Sequence, residues 1–175
     1  MGTVKDTLLF SLIRDYFTVY MPDQKGSSEH TIKAYRTAVN ALLDYVKITE
    51  NVEFLSITFQ MIDSKTLAAF LSSIEMGGVS IATRNSRLTG IRSFYAYAAM
   101  MEPVAVIYYN EILKVPYKKT ETLQVVEYMS EAAVEAILAQ PKTTTRKGLR
   151  DQFLMLLLYD TGARIQELMN IQLRH

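Results

Sequence analysis

The sequence predicts a mainly α-helical fold, with a bundle of four helices in roughly the first 100 residues. Apolar residues recur three and four positions apart in four successive segments, which is the spacing of one helix face. Serine or aspartate, which cap helices, precedes three of these segments, and proline or glycine ends two. Hydrophobic residues make up 49% of the 175 residues, enough for such helices to bury one face against one another.

The four predicted helices follow one another along the chain. The first is expected to stop at Pro22. The predicted caps are Ser27 or Ser28 for the second helix, Asp63 or Ser64 for the third, and Ser80 for the fourth. The apolar stripes are Leu9, Ile13, Tyr16, Phe17 and Tyr20; then Ile32, Tyr35, Val39, Leu42, Leu43 and Val46; then Leu67, Phe70, Leu71 and Ile74; and finally Leu88, Ile91, Tyr95 and Ala98.

A change of pattern predicts a second unit. After a short helical turn over 108–113, residues 114–129 show little periodicity and are interpreted as an extended linker. Ser130 then opens an amphipathic helix, and another runs from about Leu149 to Thr161-Gly162, with a short helix restarting at Ala163. The predicted organisation is therefore a first domain over 1–113, a linker over 114–129 and a second unit over 130–175.

Composition excludes several classes of site. The chain has no cysteine and two histidines, which rules out disulfides and thiolate zinc sites and leaves little room for an imidazole metal cage or a Ser/His triad. We expect no metal. The longest apolar run, residues 153–159, is far shorter than the ~20 residues of a membrane span. We therefore expect a soluble, cytoplasmic protein without a membrane partner.

Positive charge is concentrated in the second part of the chain. The net charge is +1 overall, but residues 1–75 carry −2 and residues 76–175 carry +3. Two windows lack acidic residues, 77–101 and 142–150. They contain the cations Arg84, Arg87 and Arg92 in the first, and Lys142, Arg146, Lys147 and Arg150 in the second. Such clusters suit phosphate binding, but a solvated helix face has the same composition, and charge alone leaves both open.

The stretch near the C-terminus is unusual for another reason. Gly162 breaks an apolar helix, Arg164 follows the break, and Glu167 lies three residues further, on the same helix face. An arginine at a helix start is well placed for a phosphate oxygen. A structural ion pair between Arg164 and Glu167 is the alternative, and the residues themselves leave both open.

Three segments carry a resemblance to a known family. Residues 148–152 followed by TGARIQEL at 161–168 closely resemble the first conserved box of the tyrosine recombinases, the phage-integrase family, whose pattern is Thr-Gly-x-Arg-x-x-Glu-Leu. Residues 27–36 and 80–95 resemble the family's N-terminal core-binding, SAM-like domain. The order and spacing agree along essentially the whole chain.

The resemblance implies a fold and a mechanism. The core-binding bundle and a catalytic domain would form a clamp around double-stranded DNA, working with other recombinase protomers and without metal or nucleotide cofactor. A tyrosine attacks the scissile phosphate in this family. By match, Arg164 would contact that phosphate and Glu167 would support the active site.

The resemblance also implies DNA contacts. They would come from Ser28, Thr31, Lys33 and Arg36 on the second helix, from Thr83, Arg84, Asn85 and Arg87 on the fourth, and from Lys118, Lys119 and Thr120 in the linker. On a helix, Arg84 and Arg87 lie ~60° apart, whereas Arg92 lies ~140° from Arg87. We therefore expect Arg84 and Arg87 to face DNA, and give a DNA contact and a structural pair equal weight for Arg92.

The family's catalytic lysine, histidine/arginine box and nucleophilic tyrosine would lie beyond His175. We therefore expect a truncated recombinase of bacterial or mobile-element origin, associated with the nucleoid and unable to cleave DNA alone. The apolar helix over 153–159 would dock on the first domain or cause self-association. A helical protein-interaction module without a DNA role is the alternative function.

Overall fold

The structure is a computed structural model that describes residues 7–120 and 128–172. These residues form helices and connecting segments, which confirms the mainly helical prediction. The chain divides into two compact units, Met1–Glu121 and Thr122–His175. This division falls inside the segment predicted as a linker, whose residues 121–127 lie outside the described part, as does His175.

The first unit is a helical bundle built around two long helices. Its elements in order are α1 (Thr7–Asp15), which continues as a π-helix (Tyr16–Gln24), α2 (Glu29–Thr49), single 3₁₀ turns at Phe54–Ser56 and Phe59–Met61, α3 (Ser64–Met76), α4 (Ile81–Met101) and α5 (Ala105–Leu113). α4 packs against both α2 and α5. The predicted stripes meet in one core, in which Leu42, Leu67, Leu88 and Ile91 are fully buried.

Capping side chains set the starts of these helices. The side chains of Ser28, Asp63 and Ser80 accept hydrogen bonds from the backbone N–H three residues on, and begin α2, α3 and α4. Each satisfies one of the N–H groups that a first helical turn leaves without a partner. The three predicted cap positions are therefore confirmed.

Pro22 does not end the first helix, contrary to expectation. The helix continues as a π-helix to Gln24. Pro22 has no N–H to offer the carbonyl of Phe17, five residues earlier. The guanidinium of Arg36 lies 3.5 Å from that carbonyl oxygen and 5.3 Å from the centre of the Phe17 ring. A side chain of α2 therefore supplies the donor that the proline lacks.

An aromatic cluster joins the π-helix to α4. The ring of Tyr16 is fully buried and contacts Phe94 and Tyr97. Its hydroxyl donates to Ser93 Oγ at 2.8 Å. Burial raises the pKa of Tyr16 to about 12, because the charged form would lose its hydration.

The bundle also has a fifth helix, α5, which starts at Ala105 and is longer than the turn that was predicted.

Within its described residues, 128–172, the second unit contains three helices. They are α6 (Glu131–Leu138), α7 (Arg146–Thr161) and α8 (Ile165–Met169). Ser130 caps α6 as predicted, whereas α7 begins three residues before the expected Leu149, because Thr145 accepts a hydrogen bond from the N–H of Gly148. Gly162, with φ +62°, ends α7. None of the described helices is long and apolar enough to cross a membrane.

Candidate nucleic-acid interface

A groove runs between the N-terminal halves of α2 and α4. It has a volume of about 360 Å³ and is lined by His30, Lys33, Ala34 and Thr37 from α2, and Thr83, Ser86 and Arg87 from α4. Each set lies on one helix face, since its members are three or four residues apart. None of these lining residues is acidic. Lys33, Thr83 and Arg87, which the sequence predicted, therefore share one cationic groove.

Three polar residues of the groove were missed from the sequence. His30, Thr37 and Ser86 line it beside the predicted residues. Helical spacing could have predicted them, because His30 and Thr37 lie one turn on either side of Lys33, and Ser86 lies one turn after Thr83.

The other residues predicted at the start of α2, Ser28, Thr31 and Arg36, do not line the groove. Ser28 accepts a hydrogen bond from the N–H of Thr31 at 3.3 Å, and the two hydroxyl oxygens are 3.0 Å apart. The exposed side chain of Arg36 belongs, with Lys33, to an adjacent hollow that Glu29 and Ile32 complete. Ser28 and Thr31 thus shape the helix start, and Arg36 contacts the π-helix.

Arg84 does not lie in the groove, contrary to expectation. Its side chain is buried, with 4% of the residue exposed, and its Nε lies 3.2 Å from Glu75 Oε1 of α3. Its Nη1 donates to the carbonyl of Pro116 at 2.9 Å and to Asn85 Oδ1 at 3.0 Å. Around the axis of α4, Arg84 and Arg87 are ~60° apart. This separation is enough for the side chain of Arg84 to point towards α3 and the segment after α5. The expected pairing of Arg84 with Arg87 on DNA is therefore corrected.

Asn85 also contacts the chain's own backbone. Its Nδ2 donates to the carbonyl of Lys118 at 2.7 Å, and its Oδ1 accepts from the N–H of Lys118 at 3.1 Å. The backbone N–H and C=O of Lys118 are thus both paired with one side-chain amide.

Arg92 takes a structural position as well. Its Nη2 donates to the carbonyls of Leu113 and Val115 at 3.0 and 2.6 Å. Its guanidinium lies over the ring of Tyr117, 4.6 Å from the ring centre. Of the two alternatives left open for Arg92, the structural contact is the one observed, and its partners are carbonyls and an aromatic ring.

The predicted linker residues lie at the end of the first unit. Lys118 Nζ lies 2.6 Å from Glu75 Oε2. The hydrogen bond from Lys118 lowers the pKa of the Glu75 carboxyl, and the charge of Arg84 adds to this effect. Lys119 and Thr120 follow with exposed side chains.

Arg164 and Glu167 form a hydrogen-bonded ion pair at the start of α8. The N–H of Arg164 donates to Glu167 Oε2 at 2.9 Å, and its Nη1 donates to Oε1 at 2.9 Å. Both hydrogen bonds lower the pKa of Glu167, and the one from the backbone N–H of Arg164 has the larger effect. Both side chains are exposed, 85% for Arg164 and 57% for Glu167. The ion pair proposed from spacing thus exists, and it leaves the guanidinium accessible.

The part of the chain that the structure describes contains no group of three or more histidine, aspartate or glutamate side chains placed to hold a metal ion.

The architecture is that of a SAM-like helical domain, and comparison with known proteins gives the family. Residues 15–101 match the family model described as phage integrase, N-terminal SAM-like domain. The chain belongs to the tyrosine recombinase, or phage integrase, family.

Curated relatives cover most of the chain. A Sinorhizobium fredii protein named integrase/recombinase y4rC is 32% identical over 96% of this chain and 51% of its own length. A second one, y4rD, is 30% identical over 91% of this chain and 57% of its own length. The tyrosine recombinase XerC of Staphylococcus aureus is 28% identical over 91% and 50%. The chain thus spans about half the length of these relatives. No solved structure matches it significantly.

Proposed function

We propose that this chain is the DNA-binding portion of a site-specific tyrosine recombinase, and that the groove between α2 and α4 binds the backbone of double-stranded DNA. The observation that carries the proposal is the convergence of Lys33 and Arg87 from two helices on one groove without an acidic lining residue. Hydroxyl groups of Thr83 and Ser86 add uncharged donors that suit phosphate oxygens.

The salt dependence of binding tests this proposal. Each cation that neutralises a phosphate releases condensed counterions, so affinity falls as salt rises, with a slope of about −0.9 per phosphate. We expect Lys33→Ala and Arg87→Ala each to weaken binding to a fluorescent duplex and to reduce the slope by about 1.

Lys65 supplies the control. It is an exposed lysine on α3 and does not line the groove, so Lys65→Ala should leave the affinity and the slope unchanged. Fluorescence anisotropy at several salt concentrations gives both quantities. The proposal fails if the wild-type chain does not bind duplex DNA at low salt, or if all three variants weaken binding equally.

The proposal extends to the second unit, as the other arm of a clamp on the duplex. Its cations Lys142, Arg146, Lys147 and Arg150 would add phosphate contacts, and Arg164 would contact the scissile phosphate, supported by Glu167. Strand exchange belongs to the complete recombinase, with other protomers on the DNA at the nucleoid, in the cytoplasm. We propose that the 175 residues alone bind DNA without forming a covalent adduct. Denaturing gels of the chain incubated with a suicide duplex test this, because they would reveal a covalent adduct if one formed.

Self-association through α7 is the second candidate property. Leu149, Phe153, Leu156 and Tyr159 recur at helical spacing and are exposed, Phe153 by 62%. Apolar stripes of this kind favour association. Light scattering should show a dimer that Phe153→Gln disrupts. A chain that associates but never binds duplex DNA would instead favour a protein-interaction module.

A further inference from the structure

The side of α4 that faces away from the groove holds the segment after α5 as an extended strip. Arg92 binds the carbonyls of Leu113 and Val115. About two turns nearer the start of α4, Arg84 binds the carbonyl of Pro116, and Asn85 pairs with both backbone groups of Lys118. Four carbonyls within six residues thus accept hydrogen bonds from α4, and this contact fixes the path of the backbone up to Lys118.

The ammonium of Lys118 belongs to a cluster of three charges. Glu75 lies between the buried guanidinium of Arg84 and the ammonium of Lys118, whose side chain is 51% exposed. The cluster has two cations and one anion, so one positive charge is left over. A buried charge needs its partner more than an exposed one, and Arg84 therefore keeps Glu75 when Lys118 leaves. Lys118 is the cation that can change partners.

We propose that Asn85 and Glu75 are positioning residues that hold Lys118 beside α4 as a preplaced phosphate ligand. Asn85 fixes the backbone of Lys118, and Glu75 holds the ammonium until a phosphate oxygen replaces it. Arg84 stays behind as the partner of Glu75, so the exchange leaves the Glu75 carboxylate paired. This inference rests on the proposed DNA binding by the first unit, and adds to it how one cation outside the groove is placed.

The contacts distinguish this role from base recognition by Asn85. An asparagine that reads adenine uses its Oδ1 and Nδ2 together on the base edge. Here Nδ2 is engaged by the carbonyl of Lys118, and Oδ1 accepts from the N–H of Lys118 and from Arg84. Asn85 therefore acts on DNA through Lys118.

A double-mutant cycle on duplex binding tests the proposal. Lys118→Ala should weaken binding and reduce the salt slope by about 1. Asn85→Ala should weaken binding about five- to thirtyfold, the scale of ordering one residue's backbone, with the salt slope unchanged because no charge is lost. In the Lys118→Ala background, Asn85→Ala should have no further effect. Asn110→Ala, an exposed asparagine on α5, is the control and should bind as the wild type does.

Tryptic cleavage tests whether Asn85 holds the backbone of Lys118 in place when no DNA is bound. Asn85→Ala should release the strip and speed cleavage after Lys118 and Lys119, with the thermal midpoint of the bundle unchanged. Unaltered cleavage would overturn the positioning role. So would additive losses of affinity in the double mutant, which would mean that Asn85 contacts DNA directly. If Lys33→Ala and Arg87→Ala weaken binding but Lys118→Ala does not, this inference fails while the proposed function stands. A wild-type chain that never binds duplex DNA overturns both.

Discussion

Gly90 of α4 and Tyr35 of α2 meet where the two long helices cross. A Cβ atom on Gly90 would lie 3.0 Å from Tyr35 Cδ1 and 3.2 Å from Tyr35 Cα. Contacts this short are tighter than a Cβ atom normally makes, so a side chain at position 90 would push α2 and α4 apart by a few tenths of an ångström. The cationic groove begins one turn away, at Arg87, and its width depends on this crossing.

Gly90→Ala should therefore destabilise the bundle and disturb the groove. Forcing a methyl group into a packed site typically costs about 1–3 kcal/mol. We expect a lower free energy of unfolding in urea, and weaker duplex binding at a temperature where the variant is folded. Gly78→Ala is the control, since Gly78 has φ +87° and open space around its Cβ position. It should lose stability through backbone strain alone and bind DNA normally; equal binding by both variants would contradict the prediction.

Asp63 should contribute to stability through its cap on α3. Its Oδ1 accepts from the N–H of Thr66 at 2.7 Å, and this bond is the main reason that the pKa of Asp63 is lowered. Asp63→Ala should cost about 1 kcal/mol at pH 7, whereas Asp63→Asn, which keeps an acceptor oxygen, should cost much less.

The same lowered pKa fixes the pH dependence of the Asp63 contribution. The carboxylate stabilises the folded state above its unfolded pKa of about 4, and this stability is lost as the pH falls through the lower pKa of the folded state. Urea unfolding at pH 7 and at pH 3 should show a smaller difference in Asp63→Asn than in the wild type. An equal difference would contradict the assignment.

Tyr16 should make the bundle sensitive to alkali. Its folded pKa is raised to about 12, mainly by burial, against about 10 in the unfolded chain. The unfolded state therefore releases a proton first, and the free energy of unfolding falls between pH 10 and 12 by up to about 1.4 kcal/mol per pH unit. Tyr16→Phe should flatten this fall, measured by urea unfolding, while Tyr117→Phe, at an exposed ring, should not.

Arg164 should be dispensable for stability. Its pair with Glu167 is exposed on both sides, and such pairs contribute little. Arg164→Ala should leave the thermal midpoint of the second unit unchanged in circular dichroism. Gly148→Ala is the positive control, because its Cβ would lie 1.9 Å from the carbonyl oxygen of Lys142 and the turn before α7 would have to open. A large loss in Arg164→Ala would assign the arginine a structural role.

Local signals in the sequence predicted most of the helices. Ser28, Asp63, Ser80 and Ser130 are caps whose hydrogen bonds reach three residues along the chain, so their effect can be inferred without the rest of the fold. Pro22 misled the prediction, because the donor that compensates for it, Arg36, comes from another helix. The start of α7 was placed late because the apolar run hid the cap at Thr145.

The sequence by itself determined the helices, the stripes that form the core, and the family, since these depend on spacing within short segments. The tertiary structure alone decided which cations are available to an anionic partner. Arg84 and Arg87 are one turn apart and chemically alike, yet Arg87 lines the groove while Arg84 is buried against Glu75 and Pro116. The difference arises because α3 and the segment after α5 cover one side of α4, and only folding brings these distant parts of the chain together.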